Sequence, residues 1–407
     1  MTISFIFSPR PENEGTGLWG VPTSSVNWCE QDYTISYYVA EFFNTFSSLC
    51  MVFFGLLGQW SLRRLSPPSQ TTSKDITAIY DPLLAHPSLL GIDRIWLTWF
   101  ALQLVGWGSV AFHGSLQWWS QAFDEVPMVW TAIIHLTTCL VARGEPFPLA
   151  VPKTYLRQVT GLKAYLIPSL RRDAAGNWYT PVISAAFLLH AVTCSLLVTL
   201  FRGPSQFLIF HVLFGSVELA GFFLTFSMYR DSRKPGAETA FAYCRDECGA
   251  AEYKGLVQRH REDVRKLHNR GVWIYVTAIV IWSTDLNFCD YVSQIPVTYP
   301  DLAGFLAGGA GELHWVTTTV NPQGHAWWHL LVSIGFYHLG ILATYERVLA
   351  GYREFWLGVA RGEEGCMELL SEDKTRGRRV AGKGDVPVVE WIGGWVPVVS
   401  IRRRTSV

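Results

Sequence analysis

The residues with the clearest capacity for chemistry are two histidines, His325 and His329, which open the last long apolar run of the chain. A spacing of four residues places both imidazoles on one face of a helix, where they can bind one metal ion. Zinc needs at least a third protein ligand, and His113, at the end of an earlier apolar run, is the candidate. The alternative is a pair of interfacial histidines beside Trp327 and Trp328, because aromatic side chains favour membrane boundaries.

Composition indicates that membrane helices position these residues. Of the 407 residues, 49% are hydrophobic and 16% are charged, and the formal net charge is zero. Nothing in this charge balance suggests a nucleic-acid partner. Seven apolar runs are long enough, or nearly so, to cross a bilayer. They are residues 37–59, 95–112, 126–141, 179–201, 207–229, 272–288 and 326–348. The sequence therefore predicts an all-α membrane protein, a bundle of seven transmembrane helices.

The distribution of Lys and Arg predicts the orientation of the bundle. The loops after the first, third and fifth runs are rich in basic residues, as is the tail, whereas the other loops are nearly bare. The positive-inside rule then places the N-terminus in a lumen and the C-terminus in the cytosol. The expected organisation is a lumenal segment 1–36, a membrane domain 37–349 and a poorly ordered basic tail 350–407. Trp391 and Trp395 in this tail are expected to rest on the membrane surface.

This orientation brings ionisable residues from three runs to the same, non-cytosolic side. His113 ends the second run, Asp124 and Glu125 precede the third, and His325 and His329 begin the seventh. Ionisable residues at membrane depth are costly and mark function by default. The grouping therefore favours a metal site over scattered interfacial histidines.

The N-terminal segment lies on that side as well. It carries Glu30 and Asp32, and Glu41 stands at the head of the first run. With main-chain carbonyl groups near Trp28, these carboxylates offer the oxygen ligands that calcium prefers. The spacing is not that of an EF-hand, and a solvated acidic patch is the alternative.

Motifs in the N-terminal segment and in or beside the first, second, third and seventh runs carry a resemblance to a known family, and the resemblance extends over all seven runs. The motifs are Leu18-Trp19-Gly20, Thr23-Ser24, Trp28-Cys29-Glu30, residues 37–44, Gly108-Ser109 with Phe112-His113, Asp124-Glu125-Val126-Pro127-Met128 and His325-Ala326-Trp327-Trp328-His329. In these motifs the chain resembles the alkaline ceramidases, which are related to the adiponectin-receptor-like seven-helix zinc proteins. The resemblance implies a seven-helix bundle around an intramembrane pocket that holds a ceramide.

The resemblance also implies a set of catalytic residues. His113, His325 and His329 would bind zinc, and Ser109 and Asp124 would act beside it. Three neutral histidines leave zinc its full charge, which lowers the pKa of a bound water to about 7. Asp124 would pass the proton of that water to the leaving amine, while Ser109 would stabilise the oxyanion. The expected reaction is hydrolysis of the N-acyl bond of a ceramide to a long-chain base and a fatty acid.

A calcium ion is the second cofactor that the resemblance implies. Its ligands would be Asn27, Trp28, Glu30, Asp32 and Glu41. Asn27 stands where an Asp is familiar in the family, and Asp32 where an Asn is. The charge is unchanged by this exchange, so a calcium site is still expected, and either of the two side chains is its ligand.

Cysteine placement predicts one disulfide. Of the eight cysteines, the predicted topology places Cys29 and Cys289 in or beside non-cytosolic loops. That compartment oxidises thiols, so a Cys29–Cys289 disulfide is expected. Two free thiols at the membrane boundary are the alternative.

Other polar residues leave alternatives open. Asp285 in the sixth run either contacts the substrate or a zinc ligand, or forms a structural hydrogen bond between helices. His211 and Glu218 share one face of the fifth run and either line the pocket or form a satisfied core pair. Cys244 and Cys248 do not have the spacing of a zinc finger.

Two functions from different classes follow. The first is an intramembrane zinc amidase acting on ceramides. The second is an adiponectin-receptor-like receptor or scaffold with a structural zinc ion. Ser109 and Asp124 favour the amidase, because a structural site needs no proton shuttle. The expected location is the endoplasmic reticulum or Golgi membrane with the active site toward the lumen, without a nucleic acid or a required protein partner.

Overall fold

A computed structural model describes residues 17–65, 92–144, 179–292, 296–300, 315–319, 322–362, 367 and 385–402. Within these residues, seven helices are longer than 20 residues. They are α1 Phe42–Leu65, α2 Ile92–Ser115, α3 Trp118–Gly144, α4 Tyr179–Leu200, α5 Gly203–Arg233, α6 Ala250–Asn287 and α7 Gly324–Ala360. A 3₁₀ helix, Ala237–Cys244, follows α5, and a one-turn helix, Cys289–Val292, follows α6. Each predicted apolar run corresponds to one of the seven helices.

Helix α7 lies at the centre of the bundle. It packs against α1, α3 and α6, and α2 lies between α1 and α3. Trp99 of α2 is fully buried at this centre, where its ring meets Phe336 and Tyr337 of α7. A second apolar cluster joins α3 to α4 and α5 on one side. The arrangement buries most of α7 and leaves α4 and α5 at the periphery.

The surface of the peripheral helices is apolar. Leu189 and Leu200 of α4 and Leu208 and Phe223 of α5 are all more than 60% exposed. Four of the described helices are long and apolar enough to cross a membrane. They are α1, α2 from Ile95, α5 and α7. Large exposed apolar surfaces of this kind mark contact with lipid.

A close approach between α2 and α3 depends on two residues. Pro127 lies inside α3 and has no N–H to bond the carbonyl group of Phe123, four residues earlier. Gly108 of α2 packs against this carbonyl, and a Cβ at that position would lie 1.9 Å from the Phe123 oxygen. Only a glycine therefore allows this contact, which brings Ser109 beside Asp124.

Two antiparallel hairpins accompany the helices. Strands β1 Pro296–Pro300 and β2 Trp315–Thr319 pair before α7. Strands β3 Val386–Ile392 and β4 Val396–Arg402 pair after it, with Val389 opposite Val399.

The structure differs from the prediction that residues 350–407 form a poorly ordered tail. Helix α7 continues to Ala360, and the β3–β4 hairpin packs on α1 and α7. Val388 and Val399 are buried in the main core, and the Tyr337 hydroxyl donates to the Pro397 carbonyl over 2.7 Å. The physical reason is the alternation of valines around a Gly393-Gly394 turn, a pattern typical of a hairpin.

The two tryptophans of this segment also differ from one another. Trp391 donates its indole N–H to Asp263 over 3.0 Å, which ties the hairpin to α6. Trp395 at the turn is 73% exposed and lies under the Arg270 guanidinium group. Residues 403–407 lie outside the described part of the chain.

Candidate metal centre and active site

Three histidines from two helices converge at one end of the bundle. One nitrogen atom from each of His113, His325 and His329 lies within 4.8 Å of the others, and all three side chains are buried. The Nε2 atom of His113 and the Nδ1 atom of His325 are buried without a hydrogen-bond partner. Buried polar atoms in proteins are normally paired, so a cluster of imidazole nitrogens in this state fits a metal ion such as zinc.

Hydrogen bonds fix the orientation of two of these rings. His113 Nδ1 lies 2.5 Å from Glu41 Oε2, and His329 Nδ1 lies 2.7 Å from Ser47 Oγ. If each Nδ1 carries the hydrogen and donates it, each Nε2 is left as the electron-pair donor. Carboxylate and hydroxyl partners of this kind orient metal-bound histidines and set their tautomer.

The third ring, His325, is held by aromatic stacking. Its centroid lies 3.7 Å from the Trp28 ring, with an interplanar angle of 17°. The Asp285 carboxylate accepts hydrogen bonds from the backbone N–H groups of Cys29, Gly324 and His325. Asp285 therefore anchors the first turn of α7 to the N-terminal segment, and one of its three bonds comes from the backbone of the candidate metal ligand His325, so elements of both alternatives for this residue are present.

Ser109 and Asp124 lie beside the histidines. Ser109 Oγ is 3.4 Å from His329 Nε2 and is hydrogen-bonded to the Asp124 carboxyl group. Ser109 is buried, and it accepts a further hydrogen bond of 3.0 Å from Ser48 Oγ on α1. A hydroxyl and a carboxyl group thus adjoin the cluster of imidazoles, as proton transfer and oxyanion stabilisation require.

Asp124 and His325 also line a cavity of about 300 Å³ between α3, α5 and α6. Most of its lining is apolar and aromatic, with Phe210, Phe214 and Phe222 of α5 along one wall. A largely apolar cavity with a few polar groups at one point is typical of a site for a small amphiphilic ligand.

Two further polar residues predicted for this region, His211 and Glu218, line the same cavity. They do not bond to each other. His211 Nδ1 lies 2.7 Å from the Phe207 carbonyl oxygen, and Glu218 accepts a 2.7 Å hydrogen bond from Tyr275. Both residues therefore line the cavity, and each is hydrogen-bonded to a different partner rather than to the other.

The predicted calcium ligands form a buried acidic group next to the histidines. Glu30 accepts hydrogen bonds from the N–H groups of Phe43 (2.7 Å) and Asn44 (2.8 Å), and it thereby caps α1. Burial raises the pKa of Glu30 to about 7. Asp32 and Glu41 are also buried. Three carboxyl groups withdrawn from water are stabilised by a nearby cation.

Hydrogen bonds of 3.0 to 3.4 Å connect the members of this group. Asp32 accepts a 3.4 Å hydrogen bond from the Asn27 amide, and Glu41 accepts one of 3.3 Å from the Trp28 backbone N–H. The Asn44 amide donates to Glu41 over 3.0 Å, while its own Oδ1 atom is buried without a partner. These oxygen atoms fit a hard cation such as calcium. Among the described His, Cys, Asp and Glu side chains, however, only the histidines bring three ligand atoms within 4.8 Å.

Cys29 and Cys289 form a disulfide between the N-terminal segment and the one-turn helix after α6. Cys244 and Cys248 are free thiols in the described structure, distant in sequence from the histidine cluster. The disulfide adds a covalent link to the same region that Asp285 anchors by hydrogen bonds.

The sequence did not single out Ser47 and Ser48, although both contact the site. They stand in an apolar run, one turn after Asn44. Their signal was available, because adjacent small polar residues within a membrane helix often form interhelical hydrogen bonds.

Lipid-facing helices around a buried histidine cluster define an integral membrane protein with a candidate metal centre. A family model described as Ceramidase matches residues 20–356. The chain belongs to the ceramidase family. This match confirms the resemblance drawn from the motifs.

Relatives with curated names agree with the family. The chain is 39% identical to a putative alkaline ceramidase of Dictyostelium discoideum over 134 residues, which cover 32% of the chain and 43% of that relative. It is 24% identical to alkaline ceramidase 3 of Mus musculus, over 83% of the chain and 90% of that relative. It is 23% identical to alkaline ceramidase YPC1 of Saccharomyces cerevisiae, over 83% and 81%. The Dictyostelium match thus spans less than half of that relative's length, and the two longer matches span most of theirs.

Proposed function

We propose that this chain is an intramembrane zinc-dependent amidohydrolase that cleaves the N-acyl bond of ceramides to a long-chain base and a free fatty acid. The observation that carries the proposal is a cluster of three buried histidines, in which His329 lies 3.4 Å from Ser109 and His325 lines the same apolar cavity as Asp124, the hydrogen-bond partner of Ser109. The names of the relatives, which are alkaline ceramidases, supply the substrate class.

His113, His325 and His329 would hold the zinc ion. When bound, zinc lowers the pKa of a water molecule to about 7 and polarises the amide carbonyl group. The residues of the chain then have separate tasks. Asp124 accepts a proton from the attacking water, whose oxygen bonds to the amide carbon, and later gives that proton to the departing nitrogen as the C–N bond breaks.

Ser109 is suited to act on the carbonyl oxygen. Its hydroxyl group bonds to the Asp124 carboxylate, and that bond weakens when Asp124 takes up a proton. The hydrogen of Ser109 then becomes available to the carbonyl oxygen as negative charge develops on it. The cavity beside Asp124 would hold a hydrocarbon chain of the lipid against Phe210, Phe214 and Phe222, which line it.

A calcium ion is the second cofactor of the proposal. Asn27 or Asp32, Glu30, Glu41 and the main chain near Trp28 would hold it. The burial of the three carboxyl groups and the partnerless Oδ1 atom of Asn44 support a cation at this point. Because Glu41 also bonds to His113, an ion there would help to hold the zinc ligand in place.

The proposal includes seven membrane spans, with the histidine end in the lumen of the endoplasmic reticulum or Golgi and the C-terminus in the cytosol. Two observations support this orientation. Lys and Arg are concentrated in the loops at the opposite end. The Cys29–Cys289 disulfide lies at the histidine end, and disulfides persist in the lumen rather than in the cytosol.

The test is release of free long-chain base from ceramide by purified protein, with zinc measured in each sample. His329→Ala is expected to lose zinc and activity, whereas Asp124→Asn is expected to keep zinc and lose activity by at least about a hundredfold. His338→Gln is the matched control, since His338 is a buried histidine of the same helix outside the cluster. A wild-type protein that binds zinc but releases nothing from any ceramide contradicts the proposal and favours a receptor or scaffold.

A further inference from the structure

The hydroxyl group of Ser48 has one hydrogen and two acceptors, and it also lies 3.4 Å from His329 Nδ1, which bonds to Ser47 over 2.7 Å. Its Oγ atom lies 2.7 Å from the Asn44 carbonyl oxygen and 3.0 Å from Ser109 Oγ. A bond to the carbonyl four residues earlier is ordinary for a serine in a helix. A bond to a serine 61 positions away on another helix is not, and it joins Ser48 to the catalytic region proposed above.

The direction in which Ser48 points its hydroxyl hydrogen determines where Ser109 can point its own. When Ser48 donates to Ser109, it occupies a lone pair of Ser109 and directs the hydrogen of Ser109 toward other acceptors. The Asp124 carboxyl group is one of these, and the carbonyl oxygen of a bound substrate would be another. When Ser48 instead donates to Asn44, Ser109 can turn its hydrogen back toward Ser48.

No bulk water can replace this contact. Ser48 is fully buried, and Ser109 is 1% exposed. A hydroxyl that donates to Ser109 also strengthens Ser109 as a donor, because hydrogen bonds in a chain polarise one another. The benefit is greatest when Ser109 donates to a developing negative charge.

We propose that Ser48 is a positioning residue, which orients the Ser109 hydroxyl group toward Asp124 and the substrate carbonyl oxygen. The inference rests on the proposed function. Ser48 does not itself touch the reacting atoms. It acts through Ser109 by rotation about its Cβ–Oγ bond, between Asn44 and Ser109.

Ser47 provides the matched control on the same turn of α1. Its Oγ atom bonds to His329 Nδ1 over 2.7 Å and to the Asn44 carbonyl oxygen over 3.1 Å. Ser47→Ala removes a partner of a proposed zinc ligand, so it is expected to weaken zinc binding by tenfold or more. Ser48 is 3.4 Å from the same nitrogen atom, too far for a strong hydrogen bond, so Ser48→Ala is expected to change zinc content by less than about twofold.

The experiment is a double-mutant cycle of Ser48→Ala and Ser109→Ala, with kcat and KM for ceramide hydrolysis, zinc content and thermal unfolding measured for each protein. Ser48→Ala alone is expected to lower kcat by about tenfold with little change in KM, the usual effect of losing one good hydrogen bond in a transition state. In the Ser109→Ala background it is expected to have no further effect, because its partner is already absent.

Three results would overturn the inference, and the first two concern Ser48→Ala. One is a Ser48→Ala protein within about twofold of the wild-type kcat; the other is an equal loss in both backgrounds. Ser48→Thr, which keeps the hydroxyl group, is expected to retain most of the activity, and an equal loss in Thr and Ala variants also overturns it. An inactive wild type overturns the proposed function as well, whereas an active wild type with an unaffected Ser48→Ala overturns this inference alone.

Discussion

Helix α7 contains two regions whose buried polar groups have different surroundings. Imidazoles gather in one cluster at its start, whereas farther along single side chains bond to other elements and a partnerless atom such as Trp356 Nε1 stands outside that cluster. At its first turns, His325 Nδ1 is buried without a partner, and so is Nε2 of the neighbouring His113. Farther along, the Tyr337 hydroxyl donates to the Pro397 carbonyl, and Tyr345 bonds to His260 over 3.2 Å. The first region is arranged to receive a ligand, and the second holds the helices and the β3–β4 hairpin together.

This difference predicts different consequences of mutation. Substitutions in the histidine region are expected to change activity more than stability, because its contacts position chemical groups. Substitutions around the hairpin are expected to change stability while the folded protein retains its activity. Variants that violate this division would show that the two regions are coupled.

The largest effect on stability is expected from Val399→Asp. Val399 is fully buried in the core shared by β4 and the helices, so this variant places an unpaired carboxylate there. The cost is about 3–5 kcal/mol of the free energy of unfolding. Thermal unfolding of the detergent-solubilised protein measures it, with Ser400→Ala as the control beside it. If the folded, zinc-loaded fraction of Val399→Asp were less active per molecule than the wild type, the hairpin region would also affect activity, contrary to this prediction.

Cys29→Ser is expected to have the next largest effect, because it removes the disulfide to Cys289. Loss of a native disulfide typically costs about 2–4 kcal/mol. Cys50→Ser is the control, since Cys50 is a free thiol on α1. The thermal midpoints of the two variants are to be compared with and without a reducing agent. Equal midpoints for both variants would show that the disulfide contributes nothing to stability.

Gly108→Ala tests the close approach of α2 and α3. Its new Cβ would lie 1.9 Å from the Phe123 oxygen, so the helices must separate and move Ser109 away from Asp124. A displacement of about 1 Å at a catalytic group costs roughly a hundredfold in rate. Gly114→Ala on the same helix meets no atom within 4 Å and serves as the control. Hydrolysis rates that are equal in the two variants would contradict the role of this contact.

The smallest effect concerns how the stability of the protein depends on pH through His260 of α6. Burial lowers the pKa of His260 from 6.5 to about 4. The unfolded chain takes up a proton near the higher value and the folded chain near the lower one, so acidification within this interval favours unfolding. The expected loss is about 2 kcal/mol between roughly pH 7.5 and pH 5. His260→Gln is expected to remove this part of the pH dependence of thermal unfolding, and an unchanged dependence would contradict it.

Local patterns were sufficient to predict much of the site. The spacing of His325 and His329 follows directly from helical geometry, and the motifs around Ser109 and Asp124 indicated the family. The seven apolar runs correspond to seven helices. The structure brings His113, His325 and His329 into one cluster, with Ser109 beside His329 and Asp124 hydrogen-bonded to Ser109.

Contacts between distant segments could not be predicted in the same way. Gly108 and Pro127 lie on separate helices. Pro127 has no N–H to bond the Phe123 carbonyl group, and only the packing of the two helices shows that Gly108 makes room for that carbonyl group. The partners of Ser47 and Ser48 likewise depend on how α1 faces α2 and α7. The hairpin was missed for a different reason: its valines and its Gly-Gly turn stand in a polar, basic tail, whose composition outweighed the local signal.

The Cys29–Cys289 disulfide has a consequence for biosynthesis. Its two cysteines are 260 residues apart in the chain. At roughly 5–20 residues per second, Cys29 must wait at least about 13 to 50 seconds until the ribosome has made Cys289. Six of the seven long helices precede Cys289, so the bond can close only on a nearly complete bundle. The disulfide therefore forms late in synthesis, and only after the N-terminal segment has come into contact with the end of α6.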